Sequence, residues 1–213
     1  MAIAPLRTGG PSRDRLVRSA LRLFAERGYS GVSNREIVED CGLTKGAIYW
    51  YFESKQDLFR TVLSEALSEF QGRLAAALQS RPTWDGRLAA MFGLFIEVLD
   101  ADDDPHRDLL FLLVNRQHRG AGADRLVGTA HDRLVGWLEQ VVSERDGPPA
   151  SRDLATLVHA AGLGVLGQAA AGYNVARPAL GALLALLGGG DLEVPAQGSP
   201  AVAHVRGQLP AAG

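Results

Sequence analysis

SNREIVEDCGLTKGAIYWYFESKQDLF, residues 33–59, decides the fold. Ser33 and Glu36 have the spacing of a capping box, in which a hydroxyl and a carboxylate satisfy opposite free amides at a helix start, so a short helix is predicted over about 34–41. Gly42 supplies the positive φ of a sharp turn, Leu43 packs back, and Thr44 caps a second short helix to about Tyr51. Ser54, with Asp57 three residues on, opens a longer helix whose stripe of Leu58, Val62, Ala66, Phe70 and Leu74 runs to about Gln79. Before the quoted stretch, Leu16, Val17, Ala20, Leu21, Phe24 and Ala25 share one face of a helix over 12–28, stopped at Gly28.

Working outward, the chain after Pro82 reads as helices at about 84–100, 105–119, 123–145, 151–174 and 176–187, with no convincing alternating strand pattern and no internal repeat. Residues 1–11 and 188–213 are rich in Gly, Pro and Ala, lack apolar periodicity, and are expected to be flexible. All-α is the predicted class. The 213 residues are 46% hydrophobic and 22% charged, which excludes collagen-like, wholly disordered and multi-span membrane chains. The single cysteine, Cys41, has no intramolecular disulfide partner and reads as a small core filler. The start MAIAPLRTGG has no apolar secretory region, so a cytoplasmic address is expected.

The net charge of −2 hides an uneven distribution. Residues 1–60 hold ten Arg or Lys against seven Asp or Glu, and residues 61–213 hold twelve against seventeen; both lysines, Lys45 and Lys55, lie in the first sixty. A basic head on an acidic body suits a nucleic-acid partner at the head. The helix, glycine turn and helix of 34–51 strengthen that reading, because such a turn holds the second helix at an angle that fits the major groove of B-DNA. Ile48 and Phe52 are expected to point inward, leaving Lys45, Gly46, Tyr49 and Tyr51 at or near the surface. Lys45 is placed to touch base edges, Gly46 lets the backbone approach the groove wall, and Arg35 can reach the same groove. Thr44, Tyr49, Tyr51 and Lys55 supply donors for phosphates, which position a protein without reading sequence. Trp50 reads equally well as a packing residue.

These residues, with the preceding LRLFAERGYSGVS, resemble the DNA-binding head of the tetracycline-repressor (TetR) family of bacterial regulators over about residues 12–60. The GAIYW wording is most similar to the branch that represses multidrug-efflux pumps. Tyr51 stands where the family usually has His, and Ser33 where it usually has Thr; the resemblance adds Ser33 to the phosphate-contacting set. It also implies a division into an arm (1–11), a DNA-binding head (12–53), a ligand-binding and dimerisation body (54–187) and a tail (188–213). The implied protein is a homodimeric, nucleoid-associated repressor that binds a palindromic operator on double-stranded DNA and is released by a small-molecule effector. Its body would hold that effector, largely apolar, between aromatic walls from Phe70, Trp84, Phe92, Phe95, Phe111 and Trp137. Polar anchors would come from residues such as Asn115, His118, Gln168 and Tyr173.

From the residues themselves, Ala160, Gly164, Gly167 and Ala171 place small side chains along one side of a helix, so a second helix can approach closely. Leu183 and Leu187, beyond Pro178, add apolar positions for a dimer interface, and the resemblance places the interface on these last two helices. The span is Ala/Gly-rich and interrupted by His159 and Gln168, which disfavours a membrane crossing. Asp102, Asp103 and Asp104 before Pro105 read as a helix start, not a metal site. His106, His118, His131, His159 and His204 form no close ligand cluster. No phosphate-cradling loop or nucleophile motif is present, so no catalysis, metal or cofactor is expected. Two other readings stay open: a helical small-molecule-binding enzyme or carrier with a vestigial head, and a DNA-binding activator or ligand-free architectural protein.

Overall fold

In the computed structural model the described residues are 10–44, 46–101, 104–118, 120, 123–144 and 151–187. The regular elements among them are all helical: α1 (Pro11–Arg27), α2 (Asn34–Asp40), α3 (Lys55–Gln79), α4 (Trp84–Asp100), α5 (Pro105–Val114), α6 (Ala123–Ser143), α7 (Ser151–Ala170) and α8 (Ala176–Leu186). Two short 3-10 turns, Ile48–Trp50 and Arg116–His118, complete the set. The flexible arm and tail expected at the ends fall outside the described residues, apart from Gly10 and Pro11, with which α1 begins.

The helix boundaries follow local chemistry. Ser33 Oγ accepts from the Glu36 amide at 3.2 Å while the Ser33 amide donates to Glu36 Oε2 at 2.8 Å, the capping box that starts α2. Gly28 and Gly42 both sit at positive φ, +73° and +67°, where a side chain would be strained. The Asp57 amide donates to Ser54 Oγ at 3.1 Å, and Asp57 Oδ2 accepts from the Glu53 amide at 3.1 Å, fixing the start of α3. Thr83 Oγ1 likewise accepts from the Gly86 amide at the head of α4.

Three expectations change. The second short helix of the 34–51 motif is a 3-10 turn over Ile48–Trp50, with the amides of Ala47, Trp50 and Tyr51 donating to carbonyls three residues back. Gly46 and, after Ala47, the run Ile48, Tyr49, Trp50 and Tyr51 are weaker helix formers, and Ser54 already starts the next helix. The helix expected over 105–119 stops at Val114, because the chain turns there to bring His118 onto the end of α1. The helix expected over 151–174 stops at Ala170, where Gly172 takes φ +88° and the Tyr173 amide returns to the Gln168 carbonyl at 3.1 Å.

The chain divides into two compact units, residues 1–72 with 105–133, and residues 73–104 with 134–213. The first therefore contains more than the 12–53 head expected from sequence, since α5 packs along α1. Its core joins Leu16, Ala20 and Phe24 of α1 to Ile37, Ile48, Phe52, Leu58 and Phe59, all buried. Phe24, Tyr29 and Phe59 form a ring cluster: Phe59 stands edge-on to both others at 5.1 Å, and Phe24 lies 5.9 Å from Tyr29. Arg13 of α1 pairs with Glu65 of α3 at 2.5 Å, tying these two helices at the surface. In the second unit α8 packs on α4 and α7, with Leu88, Phe92, Ile96, Val98, Ala155 and Leu184 buried. Arg87 makes two bonds of 2.6 Å to Glu144, and Arg73 pairs with Asp104 at 2.5 Å. Asp104, expected only as a helix-start carboxylate, is thus an ion-pair partner; Asp102 and Asp103 lie outside the described residues.

Candidate nucleic-acid interface

α2, the Gly42 turn and the 3-10 turn present one polar and aromatic surface because Ile48 and Phe52, each 2% exposed, anchor the turn from below. Between them Tyr49 is 61% exposed and Trp50 60%. Large rings left in water on an otherwise well-anchored turn have no packing role inside the first unit. Trp50 therefore belongs to the surface, which its place in the sequence left undecided.

The other expected contacts are placed differently from one another. Thr44 and Gly46 are exposed, and a Cβ placed at Gly46 would meet no atom within 4 Å. Gly46 has neither a positive φ nor a tight neighbour to explain it. Lys45 lies outside the described residues. Arg35 is exposed but its Nε donates to Glu39 Oε1 at 2.7 Å, and this bond raises the guanidinium pKa further. Tyr51 is half-buried, its ring 6.4 Å from that of Phe52.

Ser33 and Lys55 differ from the sequence expectation. The Ser33 hydroxyl donates to Glu36 Oε2 at 2.7 Å while accepting the Glu36 amide, so its proton is committed to the cap and is not free for a phosphate. Those bonds hold the Glu36 carboxyl below its ordinary pKa. Lys55 is half-buried, with its ammonium 4.3 Å from the centre of the Tyr29 ring. Burial lowers its pKa and nearby Glu36 opposes that shift. Sequence reasoning gave no role to Tyr29 or to Asn34, whose Nδ2 lies 3.5 Å from the Tyr49 hydroxyl. The only advance signal was that each adjoins an assigned residue, Gly28 for one and Ser33 for the other.

The residues expected around an effector are divided between the two units. Phe70, Phe111, Asn115 and His118 belong to the first unit, while Trp84, Phe92, Phe95, Trp137, Gln168 and Tyr173 belong to the second. Phe70, Phe92 and Phe95 are buried, and Trp84, Phe111 and Trp137 half-buried. Asn115, Gln168 and Tyr173 are exposed. His118 is placed otherwise than expected: its Nδ1 lies 2.8 Å from the Ala25 carbonyl and caps the end of α1. Ala160 and Gly164 on α7, and Ala171 just beyond its end, are exposed, and Gly167 is half-buried. Leu183 is half-buried, but Leu187 is only 7% exposed, since Leu180, Leu184 and Leu187 point inward at helical spacing. The outward leucines are Leu186, 82% exposed, and Leu157, 62%.

Residues 16–62 match the family model described as bacterial regulatory proteins, tetR family. The chain is 34% identical over 124 residues to the HTH-type transcriptional regulator AcrR of Shigella flexneri, a stretch covering 58% of this chain and 57% of that one. It is 35% identical over 91 residues to the HTH-type transcriptional repressor DhaR of Mycobacterium sp. (strain GP1), covering 42% of this chain and 46% of the relative. The chain thus spans about half the length of these curated relatives. Among solved structures, a TetR-family regulator from Agrobacterium tumefaciens superposes with TM-score 0.72 at 20% identity, over 83% of this chain and 96% of that one. A cysteine mutant of CifR with 26-bp double-strand operator DNA gives 0.69 at 19% identity, over 85% and 97%. AibR with isovaleryl coenzyme A and operator DNA gives 0.66 at 17% identity, over 82% and 97%. At these identities the superpositions establish the fold, an N-terminal helix-turn-helix head followed by a helical body. Residues 16–62 thus match the model of the tetR family of bacterial regulatory proteins, and over 83% of the chain the fold is that of a solved TetR-family regulator.

Proposed function

We propose that the chain is a sequence-specific DNA-binding transcriptional repressor, acting as a homodimer on a palindromic operator and released by a small, largely apolar effector. The observation that carries the DNA-binding part is the exposed Tyr49–Trp50 pair beside Gly46, whose missing side chain no neighbour in the chain requires. A surface of this kind serves a partner that comes close to the backbone, as the wall of a major groove does. Tyr49 and Tyr51 then offer hydroxyls to phosphates, Arg35 and Lys45 reach toward the bases, and Lys55 supplies a phosphate-binding cation. Support also comes from CifR and AibR, both solved with operator DNA, and from DhaR, named a repressor.

The homodimer rests on the outward face of α7 and α8. Leu157, Ala160, Gly164 and Leu186 leave apolar surface exposed there, and Cβ atoms at Gly162, Gly164 and Gly167 would meet nothing within 4 Å. Two such faces can approach closely, and a twofold pair would present two recognition turns to successive major grooves about 34 Å apart. Effector release requires differential affinity for the DNA-competent and incompetent forms; a coupling of about 1–3 kcal/mol changes operator affinity about 5- to 150-fold. A cytoplasmic address fits this role, and no helix among the described residues is long and apolar enough to cross a membrane.

Selection of bound duplexes from a random pool tests the reading. A palindromic consensus is expected, with Lys45→Ala relaxing preference at particular bases. Lys55→Ala should weaken all duplexes alike and lower the salt slope by about one unit. Recovery of no consensus, or equal affinity for consensus and random DNA, would reject sequence-specific binding.

A further inference from the structure

We propose that Tyr29 is a positioning residue for Lys55, and that the segment after α5, through His118 and Gly120, sets where Tyr29 stands. This rests on the reading that Lys55 grips a phosphate. A lysine side chain has many rotamers, so a cation that must meet a phosphate gains from a surface that orders it beforehand. The Tyr29 ring is that surface: the Lys55 ammonium lies over its face, 4.3 Å from the centroid, where the ring quadrupole attracts it.

The ring itself is boxed in. Phe59 stands edge-on to it at 5.1 Å and Phe24 lies 5.9 Å away, while the Tyr29 amide donates to the His118 carbonyl at 2.9 Å. A Cβ at Gly120 would lie 2.7 Å from Tyr29 Cγ and 2.8 Å from Cδ2, closer than real Cβ atoms approach, so the glycine backbone presses on the ring near its root. His118 is held in turn by its Nδ1 at 2.8 Å from the Ala25 carbonyl, and its Cα would be 3.1 Å from a Cβ at Gly28. α5, the 3-10 turn, Gly120, Tyr29 and Lys55 all lie in one compact unit. A shift of α5 along α1 therefore moves His118 and Gly120, then the ring, then the ammonium. The grip on DNA is tied to the seating of a segment well removed in sequence from the recognition turn.

The chain has only two lysines, so a preparation labelled with 13C at lysine Cε gives two signals, assigned with Lys55→Arg. In the wild type the Lys55 ε-protons are expected upfield of those of Lys45, shielded by the ring. Tyr29→Leu should abolish the offset, Gly120→Ala should move it with the far-ultraviolet circular dichroism unchanged, and Tyr29→Phe should preserve it. Against a selected duplex, Tyr29→Leu and Gly120→Ala should each weaken binding about two- to five-fold, with neither adding to the loss from Lys55→Ala. An offset indifferent to both substitutions, or losses that add fully to that of Lys55→Ala, would overturn the proposal. A wild-type chain that binds no duplex would end the DNA reading, while the response of the offset to Gly120→Ala would still decide the positioning.

Discussion

Gly120 and Gly164 are both glycines in a helical chain, but their surroundings are opposite. Gly120 presses on the Tyr29 ring so tightly that a Cβ would collide, whereas a Cβ at Gly164 would touch nothing within 4 Å. The first is explained by the chain's own packing; at the second nothing within one copy of the chain requires a glycine. Gly46 belongs with Gly164 in this respect. The contrast separates a glycine that the chain's own packing requires from glycines that it does not. Neither sequence position nor residue type distinguishes the two groups without the coordinates.

The largest expected effect lies on the building side. Phe59, fully buried against Phe24 and Tyr29, should cost about 3–5 kcal/mol when changed to Ala, read from chemical unfolding. A loss below about 1 kcal/mol would mean that the ring cluster does not hold the first unit together.

Asp108 on α5 comes next. Burial, with Glu26 adding to it, pushes its pKa up to about 6 from an ordinary 3.8, against the pull of Arg22 and Arg107. Between those values the folded chain keeps a proton that the unfolded chain has released. Stability should therefore fall as pH rises from about 4 to 6 and stay lower above that. Asp108→Asn removes the drop. Since the group is partly open to solvent, the gain is put at about 1–2 kcal/mol at pH 7 and near zero below pH 4. Urea midpoints at the two pH values check this; a gain confined to the acid side would have the wrong sign.

Ser33→Ala should remove the capping box of α2 at a cost of about 1 kcal/mol, with the loss of duplex affinity following the loss of stability. If affinity falls while unfolding is unchanged, the hydroxyl meets DNA after all. Gly164→Leu should have the smallest effect on the single chain, since nothing within 4 Å opposes the added Cβ. It should halve the mass seen by sedimentation; an unchanged mass would remove the α7 face from the interface.

Much of the fold was legible because helix starts are written in short polar codes. Ser33 with Glu36, and Ser54 with Asp57, place α2 and α3 to within a residue, and Pro105 opens α5 where it should. What was not legible depends on partners distant in sequence. His118 reads as a polar anchor until α1 brings the Ala25 carbonyl to it, and Lys55 reads only as a donor for phosphates until Tyr29 lies beneath it. Ser33 was assigned two roles from one hydroxyl, and the cap takes it. Leu187 and Leu186 differ by one step of about 100° around α8, enough to exchange an inward residue for an outward one. The 3-10 turn at Ile48–Trp50 could have been anticipated from its weak helix formers, but the expectation of a regular helix after Gly42 overrode them.

Titrating the consensus duplex and a scrambled duplex of equal length with the wild-type chain and with Tyr49→Ala, at about 0.15 M salt, tests the DNA-facing surface most directly. The account requires the wild type to bind the consensus at least about a thousand-fold more tightly than the scrambled duplex, and Tyr49→Ala to lose affinity without losing stability. Equal binding of the two duplexes, or a Tyr49→Ala chain that grips the consensus as firmly as the wild type, would contradict it.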